Sequence, residues 1–283
     1  MKTGLVLEGG GLRGAYTAGA LAWFLNEGIE FDYNVGISSG AQHLSNYLTG
    51  DQKYLKDIAV TIGAQEFKKG LVPLLTEGTL VGYNHLFDYA LKKLAPLDLA
   101  AIRANKNESE VGIFDIKAGK TIWVNTKDID EDYKILKAAS LIPIAGRPVV
   151  IDGVKYIDAG LAYMIPIERS IEKKIDKHVV ITTKPRSYVR KPTGFLTNLY
   201  FAIFYNKYSE LRQKIKDRSK IYYHQRDVIN KLVEEKKAIE IYPTKAFNIS
   251  RFGGDVTELN DLFETGFNDC ELRRKEIYDF LEI

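Results

Sequence analysis

Apolar residues near the N-terminus fall in bursts too short for helices. Residues 3–7 and 32–37 each form a brief apolar run, and each is read as a buried strand. Between them, residues 15–26 are rich in Ala and Leu and are read as a helix that stops at Gly28; residues 41–48 are read as another. The first 50 residues therefore predict strand, glycine loop, helix, strand, turn, helix, which is a parallel α/β opening. Further on, residues 53–95 read as helical with loops. Residues 110–115 and 121–125 read as paired strands, and residues 130–139 as a helix. Residues 149–151 and 155–157 read as short strands around a turn at Asp152-Gly153. Residues 178–183 and 239–242 read as later strands. Two helices, 257–265 and 268–281, close the chain. The expected fold is α/β: a mainly parallel central sheet flanked by helices over residues 1–183. A helical C-terminal extension over residues 184–283 is expected to pack on the same domain. The soft boundary is set near Pro185 and Pro192, where the pattern breaks.

Composition changes this picture little. The 283 residues are 45% apolar and 27% charged, which suits a globular chain with a sizeable core. A net charge of +3 gives no argument for nucleic acid binding. The single cysteine, Cys270, excludes an internal disulfide and reads as a small buried filler. The opening apolar run is cut by Glu8 and glycines, so no secretory leader is read there. The run at residues 195–205 is shorter than the roughly 20 residues a bilayer-spanning helix needs. A cytoplasmic protein is expected, free or held at a membrane surface.

Two loops carry candidate chemistry. Gly36-Ile37-Ser38-Ser39-Gly40 lies between a strand and a helix. A sharp turn there pushes Ser38 up at the carboxyl edge of the sheet, with the helix N-terminus behind it. The competing reading is a plain turn whose Ser38, or Ser39, caps the helix. Gly9-Gly10-Gly11-Leu12-Arg13-Gly14 also follows a strand and opens a helix. Its N–H groups suit either a phosphate or an oxyanion. The nucleotide reading is the weaker, because Ala15 and Tyr16 stand where a phosphate loop needs Lys-Ser or Lys-Thr. Side by side, the two loops supply a nucleophile and N–H donors, the minimum for acyl transfer. Gly10 and Gly11 are expected to donate to the oxyanion.

An activated serine needs a base. His43, His85, His178 and His224 all read as surface or packing residues, and His178 is expected at the far edge of the sheet. Asp158 stands at a strand end before Ala159-Gly160, where it reads either as a turn-forming Asp or as an acid held for use. A carboxylate at its ordinary pKa is a weak base for a hydroxyl, so this role needs a dry site.

Taken in order, Gly9 to Gly14, Gly36 to Gly40 and Asp158-Ala159-Gly160, with Ala138-Ala139-Ser140, Pro143 and Pro166, resemble the patatin-like phospholipases. The resemblance covers roughly residues 3–183. It implies a Ser-Asp dyad of Ser38 and Asp158, an oxyanion loop at Gly9 to Gly14, and hydrolysis of acyl esters in phospholipids or neutral lipids without metal or cofactor. Two departures stand out. Ala159 replaces a usual glycine, and Met164 stands where the family often has Asn. The late region with Arg218, Tyr222 and Ile241-Tyr242-Pro243 is similar to a C-terminal extension in a bacterial subgroup.

Residues 184–226 hold eleven Lys and Arg against two acids, interleaved with aromatic residues. This reads as a core-facing helix followed by a solvated charged one. It also fits peripheral contact with an anionic membrane. The expected partner is a lipid or acyl-ester substrate, with no nucleic acid. Two rivals stand beside the hydrolase: a non-catalytic lipid-binding protein with a relic site, and a Ser-His-Asp esterase using His178 or His224.

Overall fold

The structure is a computed structural model and describes residues 1–245, 247 and 249–283. Its centre is an eight-stranded sheet. Strands β1 (Thr3–Leu7), β2 (Tyr33–Ile37), β3 (Glu108–Asp115), β4 (Lys120–Asn125), β5 (Val149–Ile151), β6 (Val154–Asp158), β7 (Lys177–Ile181) and β8 (Ala238–Ile241) run β5-β6-β3-β2-β1-β7-β8, with β4 on β3. Strands β3, β2, β1, β7 and β8 are mutually parallel. β1 and β2 are buried along nearly their whole length, as strands covered on both faces are. Alternate residues serve the two faces: Leu5 and Leu7 join the larger core, Val6 and Val35 the smaller.

Helix α1 (Gly14–Glu27) ends at Gly28, whose φ of 65° closes it in the left-handed conformation. Helix α2 (Ser39–Tyr47) follows β2 directly. Residues 52–104 form short helical segments, and α3 (Lys134–Ser140) precedes the β5–β6 hairpin, whose turn is Asp152-Gly153, both at positive φ. Helix α3 starts later than the pattern at 130–139 implied. The Asp130 carboxylate accepts the N–H groups of Asp132, Lys134 and Ile135, so residue 130 initiates the helix from outside it.

The C-terminal half is more than an appended helical layer. It contributes α5 (Phe195–Phe204), α6 (Ser209–Lys216) and α7 (Arg218–Glu234), reached through α4 (Ile167–Glu172) and β7. It then returns as β8 beside β7. Helix α8 (Val256–Leu272) runs unbroken through Gly266, where two helices were expected, and the break falls at Arg273 before α9 (Arg274–Leu281). Gly266 lies against the Tyr16 carbonyl of α1, and Gly19 of α1 against the Phe263 carbonyl. Both glycines serve helix crossing, so neither marks a stop. Lys184, where the extension was expected to begin, is buried and pairs with Glu8 at the end of β1.

One topological detail positions the site. Along β3, residues 108–112 pair with β2 and residues 113–115 with β6, while β4 takes residues 110–115. β4 overlaps both partners, so β2 and β6 share the opposite edge of β3 and meet end to end. Ile37 pairs with Gly112 and Asp158 with Ile113. The last residues of the two strands are thus set side by side.

Candidate active site

Ser38 follows Ile37 with φ 56° and ψ −124°, a backbone region that non-glycine residues enter at a cost of about 1–3 kcal/mol. The turn is tight enough that a Cβ on Gly36 would lie 2.5 Å from the Gly40 carbonyl, and one on Gly40 2.6 Å from the Leu7 carbonyl. Ser38 occupies the N-cap position of α2, yet its side chain makes no cap hydrogen bond. The capping reading fails on that point. Ser38 instead lines one cavity with Asp158, close enough for its hydroxyl to favour the ionised carboxylate. Ser39 is not a cap either: its hydroxyl accepts the Gly10 N–H at 2.8 Å.

Asp158 is buried, and burial pushes its carboxyl above the usual range. The Ser38 hydroxyl, the Gly160 N–H at 2.6 Å, and the charges of Arg218 and Arg251 oppose that shift without cancelling it. Ala159 sits at negative φ, because the positive-φ residues do not include it, so alanine is unstrained there. Gly160 matters more: a Cβ there would lie 2.9 Å from the Asp158 carboxylate and 3.3 Å from Ile37.

The glycine loop lies directly against the serine. A Cβ on Gly9 would come 2.8 Å from the Ser38 Cβ. The loop differs from expectation in which N–H groups are free. Gly9 donates to the Met164 carbonyl at 3.1 Å and Gly10 to Ser39, whereas Gly11 has no acceptor among the described residues. The first N–H groups of α2, at Ser39 and Gly40, also have none among the described residues. Gly14 lets α1 and α2 start close together, since a Cβ there would meet the His43 ring at 2.7 Å. The Arg13 Nε is buried without a partner among the described residues.

Met164, the second departure, is held through its backbone. Its N–H and that of Ile165 both donate to Gln225 of α7 at 3.1 Å. Sequence reasoning missed this support, and no local signal marks it. It also missed Arg190 and Arg251. These line a cavity of about 200 Å³ with Arg218, Gly9 to Gly11, Ser38 and Asp158. A second cavity, of about 110 Å³, also opens from Ser38; it shares Gly11, Ile142 and Arg251 with the first and is otherwise lined by Phe67, Leu86, Phe87, Leu91 and Phe252. The serine stands where a cationic and an apolar cavity meet.

The histidines separate cleanly. His178 pairs with Gly4 at the far end of the sheet and bonds Ser170 at 2.8 Å. His224 is exposed on α7, and His85 bonds Glu66 at 2.7 Å. His43 lines the apolar cavity with Ser38, and burial pushes it down to about 4.

A family model described as patatin-like phospholipase matches residues 5–171, and one described as a domain of unknown function (DUF6363) matches residues 208–282. The chain is 23% identical over 279 residues to the Escherichia coli (strain K12) protein named "Uncharacterized protein YjjU", covering 94% of this chain and 75% of that one. Its fold is similar to that of VipD from Legionella pneumophila, with a TM-score of 0.51 at 12% identity. That likeness covers 96% of this chain and spans 66% of the VipD chain.

Proposed function

The chain belongs to the patatin-like phospholipase family, and from that premise we propose that it is a serine acyl hydrolase whose nucleophile is Ser38 and whose base is Asp158. One observation carries this reading: a serine in a strained elbow faces a buried, acid-weakened carboxyl held by the adjoining strand end. Asp158 takes the Ser38 proton as Oγ bonds to the ester carbonyl carbon, and the carbonyl electron pair moves onto oxygen. The Gly11 N–H and the N-terminal end of α2 hold that oxyanion. Collapse expels the alcohol, which leaves with the proton from Asp158. Water then attacks the acyl-enzyme with Asp158 again as base, the acid departs, and Asp158 hands the proton back to the Ser38 oxygen.

The apolar cavity takes the acyl chain. The protein works at a lipid surface, which α5 meets through Phe195, Leu196, Ile203 and Phe204, all exposed beside the basic stretch. Among the described residues no helix is long and apolar enough to cross a membrane.

The test is hydrolysis of a short-chain p-nitrophenyl ester, with fluorophosphonate labelling of Ser38. Ser38→Ala and Asp158→Asn should each lose about 10³-fold or more in kcat/KM while folded. Inert wild type that also resists the probe would point to a lipid-binding protein with a relic site. Retained turnover in Asp158→Asn would move the base to His43, the histidine that shares a cavity with Ser38.

A further inference from the structure

Most N–H groups between Gly9 and Leu12 are taken up inside the protein. Gly9 donates to the Met164 carbonyl at 3.1 Å, Gly10 to the Ser39 hydroxyl at 2.8 Å, and Leu12 to the Arg251 carbonyl at 3.1 Å. Gly11 is left with no acceptor among the described residues. Its φ of 61° is left-handed, and glycine enters that region about as readily as the right-handed one. The residue itself therefore does not fix where its N–H points. The contacts on either side must do so.

Both outer contacts lead to the C-terminal half. Arg251 belongs to a short strap, residues 249–254, laid over the loop. Within it the Phe252 N–H donates to the Ser250 hydroxyl at 3.3 Å, and the Phe252 ring stacks on Phe67 with centroids 6.1 Å apart. The strap lies so close that a Cβ on Gly11 would fall 2.3 Å from the Arg251 carbonyl oxygen. At the other end, Met164 is held by Gln225 of α7. The Gln225 side chain is buried, and its Oε1 accepts the N–H groups of Met164 and Ile165, each at 3.1 Å. Its Nε2 donates to Glu168 at 3.3 Å, which fixes which end of the amide faces the backbone. One residue, Met164, thus receives Gln225 on its N–H and Gly9 on its carbonyl. Gly9 in turn lies against Ser38. Without Gln225 two buried N–H groups would lack an acceptor, a state the backbone leaves by moving. The Met164 carbonyl would move with it, and the loop would lose its first anchor.

We propose that Gln225 and the strap at residues 249–254 clamp the two ends of the oxyanion loop, and that Gln225 is a positioning residue for acyl transfer. It sets the direction of the Gly11 N–H without touching the substrate. The assignment rests on the hydrolase reading above and adds to it. Both parts of the clamp fall within the C-terminal region matched at residues 208–282, which thereby acquires a role in the reaction.

The experiment measures hydrolysis of a short-chain p-nitrophenyl ester by full-length wild type, Gln225→Met and the swapped pair Gln225→Glu/Glu168→Gln. Methionine has a similar length and no strong acceptor. The swapped pair restores an acceptor oxygen and keeps the bond between the two side chains with its direction reversed. Rates are referred to the sites that a fluorophosphonate labels at completion, so an unfolded fraction drops out of the comparison. Inhibition by a trifluoromethyl ketone with the same acyl chain is run alongside, because its adduct with Ser38 carries an oxyanion where that of the ester would form. Gln225→Met should lose about tenfold to a hundredfold in kcat with little change in KM, and the inhibition constant should rise by a similar factor. The swapped pair should recover most of both losses. If Gln225→Met keeps the wild-type kcat per labelled site and the wild-type inhibition constant, Gln225 only packs, and the clamp is overturned while the hydrolase reading stands. If wild type neither labels nor turns over the ester, the hydrolase reading falls and the clamp falls with it. Should Gln225→Met not fold, hydrogen exchange on wild type decides. The ketone adduct should slow amide exchange in peptides covering residues 162–166 and 249–254 as well as 8–12. Protection confined to residues 8–12 and 36–41 would overturn the clamp.

Discussion

At the scale of the residue, the proposed chemistry depends on how readily Asp158 gives up its proton. Its carboxyl is raised by burial, so the carboxylate is lost as pH falls through that raised value, and kcat/KM should fall on the acid side. Arg218 pulls in the other direction by stabilising the carboxylate. Arg218→Gln removes that charge, so the Asp158 pKa should rise further and the acid limb should move to higher pH. A kcat/KM profile on a neutral chromogenic ester checks the sign, and an unmoved limb would dissociate Arg218 from the base. The residues of the proposed site are legible because each is spelled within a few consecutive positions: a Gly-x-Ser-x-Gly turn, a glycine run, and an Asp at a strand end. Gln225, Arg190 and Arg251 are not. They reach the site only through tertiary packing: Arg190 lies 30 positions after Gly160, Gln225 lies 61 after Met164 and Arg251 lies 91 after Gly160. Arg190 was counted in a basic stretch read as solvated, and sequence pattern alone does not say which cations turn inward.

At the scale of the element, most helices and strands followed from apolar period, and two helices departed from it. Asp130 stands outside the helix it initiates, and a glycine in the last long helix answers a partner elsewhere in the chain. Gly266 falls in the gap between the two helices expected over 257–265 and 268–281. It is the point where α8 crosses α1, with Gly19 opposite. A methyl group on Gly19 would press into the Phe263 carbonyl, a backbone atom with little freedom to move. Gly19→Ala should therefore cost about 1–3 kcal/mol by overpacking, despite the better helix propensity of alanine. Chemical denaturation would measure it, and a stabilised variant would show that the crossing yields easily.

At the scale of the whole molecule, the two halves hold one another. Lys184 meets Glu8 across the ends of β7 and β1, Gln225 carries the Met164 backbone, and β8 extends the sheet. The outer surface is less evenly shared. Phe195 and Leu196 are 77% and 78% exposed at the start of α5, while Thr197 and Phe201 of the same helix line the cationic cavity. Replacing Phe195 and Leu196 with serine should weaken flotation with anionic vesicles several-fold, since each removes a large apolar anchor. Turnover of a water-soluble ester should change far less. Equal flotation of variant and wild type would assign membrane contact to another face. The end-to-end meeting of β2 and β6 has its own consequence for how this chain tolerates change in length. Neighbouring residues of β3, Gly112 and Ile113, act as the ruler that spaces Ser38 from Asp158. One added residue between them would slide the acid by about 3.3 Å and turn the following side chains to the other face. Surface loops tolerate changes of length far better, but the length of β3 at this point is fixed by the spacing that the proposed serine and acid require.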